Sequence, residues 1–303
     1  MKLKSMTSVI MKSALVLAAC ASLNAIAGPA PSGKNVVPPV EENGALFDTL
    51  GATLEVGYDT RYYFRGLWFS DNTVWAGLSL SVPLTEQLSL GVGALYTSTV
   101  DTLVDATAGG PELRQDYTEL DLSTSLTYDA GFAKFGLVYT HYEFFNGFSG
   151  TFYGAAGAFT PAGELNVSSA DEVGLTMALP LGPVNFYLGG FYDLRIGGSY
   201  LEAGVDYPIE VTSWLTLVPA IKSGYGFDYY TGGDNTAPAG AFLNQVPTSG
   251  FTHLGFSLSA PIKLTRTATL TPYIAYNISG RARRLLNSTD NEIYGGVKLG
   301  VTF

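Results

Sequence analysis

Glu55, Asp59, Arg61 and Arg65 fall on positions of one parity in the stretch Gly51 to Phe69, and Gly57 and Tyr63 complete that set. The positions between them are Leu54, Val56, Tyr58, Thr60, Tyr62 and Phe64. In an extended chain a period of two sends the two sets to opposite faces. One face then carries two acids and two guanidinium groups, and the other is aliphatic and aromatic. Charges of both signs aimed into a shared water-filled space sort solutes by charge. Apolar outside and charged inside is the pattern of a transmembrane barrel strand.

The same parity nominates Glu119, Asp121, Asp193, Arg195, Glu202, Asp206, Lys222, Glu292 and Lys298 as further lumen residues. If the barrel closes, its last strand lies beside its first, which predicts pairs of Glu55 with Lys298 and of Arg65 with Glu292. Two readings of these charges stand: a constriction that filters ions or small hydrophilic solutes, and a plug of ion pairs that leaves a closed scaffold with working loops. Inward Gly57, Gly77, Gly91, Gly93, Gly136, Gly174, Gly189 and Gly204 leave space and favour the open passage.

Other chemistries find less support. Tyr139-Thr140-His141 followed by Asn146-Gly147 is similar to the histidine strand of outer-membrane phospholipases. Those enzymes need a serine two residues on, where Glu143 stands here, and a base without a nucleophile activates nothing. A lipid-acting enzyme is therefore the third reading, and no catalytic residue is assigned. The acidic segment with Asp101, Asp105, Glu112 and Asp116 lacks the dense oxygen spacing of a Ca2+ loop, so neither metal nor cofactor is expected. Arg281, Arg283 and Arg284 cluster in the last long loop, where guanidinium forks suit lipopolysaccharide phosphates.

The elements that must position these residues recur along the chain. Period-two segments are predicted near 51–67, 73–83, 88–98, 117–128, 132–144, 170–179, 184–195, 199–209, 214–226, 250–263, 268–279 and 291–303, with a turn at Ser70 to Asn72 after the first. Short turns follow the even-numbered strands and mostly longer loops follow the odd ones. The fold expected is an all-β, up-and-down antiparallel transmembrane barrel of about twelve strands over residues 49–303. Outward Tyr58, Tyr62, Tyr96, Tyr128, Tyr139, Phe186, Tyr192, Tyr207 and Tyr276 suit interfacial girdles.

Composition agrees with lipid as the solvent. Charged residues are 14% and aromatics 13%, against roughly 25% charged in a soluble domain. No internal stretch reaches the ~18 apolar residues of a helical span, so any crossing is made by strands. Residues 1–27 read as an export signal: Lys2, Lys4 and Lys12, an apolar stretch from Ser13 to Leu23, then Ala25-Ile26-Ala27. A lipoprotein box at Leu17 to Cys20 is the competing reading. Residues 28–48 read as a flexible periplasmic tail. With 26 acids against 16 bases, nucleic acid is not an expected partner. Outer-membrane lipid, lipopolysaccharide, small solutes and the barrel-assembly machinery of Gram-negative bacteria are, the last because Phe303 closes an alternating strand.

Tyr58 to Ser81, YDTRYYFRGLWFSDNTVWAGLSLS, resembles the opening hairpin of the TorF-type (Gcw_chp) putative porins through Tyr63-Phe64-Arg65-Gly66. The resemblance implies an outer-membrane barrel and no particular substrate.

Overall fold

The computed structural model describes residues 51–100, 103–105, 113–115, 117–149, 166–195, 197–229, 249–280 and 291–303. Twelve antiparallel strands close into one barrel. They are β1 (Ala52–Phe64), β2 (Leu67–Pro83), β3 (Leu88–Thr99), β4 (Thr118–Asp129), β5 (Lys134–Ser149), β6 (Asn166–Leu181), β7 (Val184–Asp193), β8 (Ser199–Asp206), β9 (Thr216–Phe227), β10 (Gly250–Ser259), β11 (Ala268–Ser279) and β12 (Asn291–Thr302). Short pieces Ile209–Glu210 and Ile262–Lys263 extend the ladders beside β9 and β11, and Leu103–Asp105 pairs with Leu113–Gln115 outside the wall. β1 closes on β12 from Thr53↔Thr302 to Asp59↔Gly296, so no barrel edge is left along that seam.

Three connections at the short-turn end use one device. Thr85, Thr212 and Thr265 each turn a side-chain hydroxyl back to accept the N–H groups two and three residues on, Gln87 and Leu88, Trp214 and Leu215, Thr267 and Ala268. Backbone N–H groups of Thr85, Thr212 and Thr265 in turn reach the carbonyls of Leu88, Leu215 and Ala268. A hydroxyl that satisfies local amides in this way specifies a turn where no Gly is present.

The wall alternates as barrel physics requires. Leu78, Leu137, Leu175, Ile274 and Ile293 face outward and are more than half exposed, which is tolerable in water for single residues but not for a continuous band. Opposite parity is buried and polar: Thr97, Glu119, Asp121, Ser125, Thr140, Glu172, Thr176, Glu202, Asp206, Asn277 and Lys298 all line the inside.

The first hairpin departs from the sequence expectation. Its turn is Arg65-Gly66, not Ser70 to Asn72, and β2 runs unbroken from Leu67. Arg65 at φ 51° and Gly66 at φ 78° form a two-residue turn of the left-handed pair that matches strand twist. The register shifts between Tyr62↔Ser70 and Tyr63↔Trp68, leaving Phe69 of β2 as the extra residue of a bulge, and both tyrosine rings are buried, overturning the outward place expected for Tyr62.

This hairpin also leaves the wall. Pairing of β1 with β12 stops at Asp59 and pairing of β2 with β3 stops at Thr73. Between those points, among the described residues, the ladder pairs of β1 and β2 are with each other alone, from Arg61↔Asp71 to Phe64↔Leu67. The roots are tied by Gly295 N–H to Thr60 Oγ1 and by Val100 N–H to the Asn72 carbonyl. Residues 61–71 are thus a two-stranded ribbon held inside the barrel by side chains. Tyr62, Tyr63, Tyr117, Ala275 and Tyr294 form the buried cluster under it, with Phe64, Trp68, Phe69, Phe144 and Tyr273 against them.

Candidate functional site

The lumen charges arrange themselves in levels. Nearest the short-turn end of the seam, Lys298 Nζ lies 2.8 Å from Glu55 Oε1, the pair that closure predicts. One level up, Asp59 is fully buried and accepts from Trp75 Nε1 at 2.9 Å and from the Tyr273 hydroxyl at 2.5 Å. Asp59 is therefore a structural acceptor that ties β1, β2 and β11 together. Above it Arg61 pairs with Glu292 and lies 3.4 Å from Asp71.

Arg65 behaves differently from the expected partner of Glu292. Sitting in the turn rather than on a strand, it is carried past the seam and across the lumen to the opposite wall. Its guanidinium forks onto Glu172 of β6, Nη1 to Oε2 at 2.5 Å and Nη2 to Oε1 at 2.7 Å. The Tyr229 hydroxyl also contacts Nη1. Rings surround the group: Phe64 and Phe191 at 4.6 Å, Tyr200 at 4.5 Å and Tyr229 at 5.2 Å from its central carbon. A bidentate carboxylate and flat π faces are what a planar guanidinium binds best. Tyr142 donates to Glu172 Oε1 at 3.3 Å, so the carboxylate is oriented from its own wall.

Several expected residues keep their lumenal place. Glu119 accepts from the Tyr117 hydroxyl at 2.5 Å and the Tyr62 hydroxyl at 3.4 Å, and Asp121 is buried two residues along the same face. Tyr200 donates to Glu202 at 3.2 Å and Asn185 to Asp206 at 2.8 Å. Lys222 drapes over Gly255. Arg195 does not belong to the set. β7 ends at Asp193, whose Oδ1 accepts the Arg195 N–H, and the exposed Arg195 side chain donates to the Ser169 carbonyl. Once the strand stops, parity no longer aims a side chain. Arg281, Arg283 and Arg284, the acidic segment residues Asp101, Glu112 and Asp116, the leader and the tail lie outside the described residues.

Four of the expected inward glycines, Gly57, Gly174, Gly189 and Gly204, are not openings. Trp75 lies over Gly57, Phe191 over Gly174 and Gly189, Tyr187 over Gly204, and Tyr200 over Gly224. Flat aromatic side chains occupy the room a Cβ would need, so these glycines admit rings rather than solvent.

His141 points outward, as its parity with Tyr139 predicts. Nδ1 lies 2.8 Å from Asp171 Oδ1 and Nε2 lies 3.4 Å from Glu143 Oε2, and Tyr139 donates to Asp171 at 2.6 Å. Both ring nitrogens thus face carboxylates. His253 is buried against Gly66 of the hairpin turn and its Nδ1 lies 2.8 Å from Thr252 Oγ1. No cluster of three or more His, Cys, Asp or Glu arranged to hold a metal occurs among the described residues.

Sequence reasoning missed Glu172, Phe191, Tyr200 and Tyr229. Glu172 was within reach of it: Ala170, Glu172, Gly174, Thr176 and Ala178 alternate with Val173, Leu175, Met177 and Leu179, which places the carboxylate inside. The aromatic partners needed the register of β7 and β8, which no local pattern supplies.

No family model matches the chain, and no curated protein matches it in sequence. The TorF-type resemblance thus rests on residues 58–81 alone. Among solved structures the chain is similar to the COG4313 outer membrane channel from Pseudomonas putida F1, with TM-score 0.49 and 11% identity over 83% of this chain and 95% of that one. It is also similar to the KdgM porin, with TM-score 0.44 and 8% identity over 83% and 99% of the two chains. Outer membrane phospholipase A from Escherichia coli gives TM-score 0.45 and 12% identity over 88% and 96%. At these identities the likeness is one of barrel fold.

Proposed function

We propose that the chain is a bacterial outer-membrane channel for small hydrophilic solutes, closed in this conformation by the β1–β2 ribbon. The observation that carries the reading is the ribbon itself. A scaffold that only needed filling would be served by side chains from the wall, whereas here a hairpin that leaves the wall crosses the lumen and is fastened at its root by Arg61 on Glu292 and at its tip by Arg65 on Glu172 inside a ring cage. The polar wall beneath it, richer in acid than base through Asp59, Glu119, Asp121, Glu172, Asp193, Glu202 and Asp206, gives the passage a preference for cations. The arginines at 281, 283 and 284 remain candidates for lipopolysaccharide contact in the same membrane.

The rival reading, a plugged scaffold with working loops, draws on the buried aromatic cluster under the ribbon. Planar-bilayer recording of the purified full chain separates the two. A channel gives discrete steps, infrequent in the native protein, frequent in Glu172→Gln, and larger for cations than anions. A folded, heat-modifiable barrel that passes no current in either form is the scaffold.

A further inference from the structure

We infer that the cage around Arg65 is a solute site for guanidinium-bearing cations, with Arg65 as its resident competitor. The inference rests on the channel reading and gives it a substrate class. Four features of the cage lie off the ribbon: Glu172, Phe191 and Tyr200 on the wall strands β6, β7 and β8, and Tyr229 just past the end of β9. When the hairpin lifts, they stay behind as a carboxylate fork beside three ring faces, with Tyr142 still orienting the carboxylate. The ring of Phe191 is fixed by the room that Gly174 and Gly189 leave for it, and that of Tyr200 by Gly224. The pocket is therefore shaped by the wall sequence and does not depend on its occupant for its form.

Guanidinium is selected over ammonium by geometry. Two parallel N–H bonds to Glu172 need a planar fork, and stacking against Phe191 and Tyr200 needs a flat cation of weak hydration. A solute with such a group occupies the site in place of Arg65 and releases the tip of the ribbon. Closure and recognition would then be the same interaction, and the channel opens to the solute class it admits.

Arg65→Asn vacates the cage while keeping the turn, because Asn tolerates the left-handed conformation that Arg65 adopts at φ 51° and Asn-Gly suits this turn type. In planar bilayers, millimolar guanidinium or agmatine is expected to block current through Arg65→Asn, with sodium and butylammonium at equal ionic strength ineffective. Adding Glu172→Gln is expected to raise the half-blocking concentration at least about tenfold. In the native protein the same additions are expected to increase open probability. A second readout needs no current: the unfolding midpoint of Arg65→Asn in detergent rises with millimolar guanidinium and not with sodium. A barrel silent in bilayers yet stabilised this way keeps the site and loses the channel. Equal responses to guanidinium, butylammonium and sodium in both assays overturn the site.

Discussion

Removing Glu172 should open the barrel more than removing Arg65, and the two changes should not add. Arg65 and Glu172 are almost wholly buried, with side-chain exposures of 4% and 2%. Breaking a buried pair by taking away one partner costs about 3–5 kcal/mol, because the survivor keeps its desolvation without its countercharge. At about 1.4 kcal/mol per factor of ten, the ratio of open to closed rises about 10²- to 4 × 10³-fold. Glu172→Gln leaves the guanidinium with the Tyr229 hydroxyl and the rings but without this countercharge, and belongs at the upper end, since lifting the ribbon returns that charge to water. Arg65→Asn leaves a carboxylate that still has the Tyr142 hydroxyl, and belongs at the lower end. The double variant strands neither charge, so its effect should fall short of the product of the singles by a coupling of at least about 1.5 kcal/mol. Single-channel open probability, measured for the four proteins at one voltage and salt, gives every term. Changes smaller than about threefold in both singles, or strict additivity, would refute the latch.

Three further expectations test the frame around it. Leu175→Arg places a charge outward near mid-strand and should cost about 2–4 kcal/mol in lipid; urea unfolding in bilayers reads this, and a neutral result would mean that this face meets water. Gly204→Ala drives a methyl into the Tyr187 ring and should destabilise by about 1–3 kcal/mol, seen as a lower urea midpoint, whereas Gly131→Ala, with open space around it, should show only the cost of its positive φ. Thr85→Ala, Thr212→Ala and Thr265→Ala should each cost about 0.5–1.5 kcal/mol, with three similar drops in midpoint because the three turns share one geometry.

The wall was legible because a barrel writes its two solvents into alternate residues. β4 and β12 could be assigned a lipid face and a water face from parity alone, and the seam pair Glu55–Lys298 followed from closure. The hairpin tip was not legible for a physical reason. Phe64-Arg65-Gly66-Leu67-Trp68-Phe69 reads as continuing strand, while Ser70-Asp71-Asn72 carries the stronger turn composition. Positive φ at Arg65 leaves no mark on the sequence, and beyond Asp59 the hairpin leaves the wall, so Tyr62 and Tyr63, of opposite parity, are both buried. Glycine misled for a related reason. Parity placed Gly57 and Gly204 on the inner face, but their neighbours Trp75 and Tyr187 come from the next strand, and only the register shows that rings lie over them.

The ribbon's lack of flanking ladders has a consequence for cooperativity. From Thr53 to Asp59 and from Thr73 to Leu80, β1 and β2 each share ladder pairs with two neighbours, so these amides are released only when the wall itself comes apart. Among the described residues, 61–71 have their ladder pairs within the hairpin, and side chains and root contacts such as Gly295 N–H to Thr60 Oγ1 join the unit to the wall. It is a separate opening unit, whose amides exchange with solvent through a local event while the twelve-strand ladder stays protected. Exchange protection along β1 and β2 should therefore fall into two tiers, with the step between them at Asp59 and Thr73.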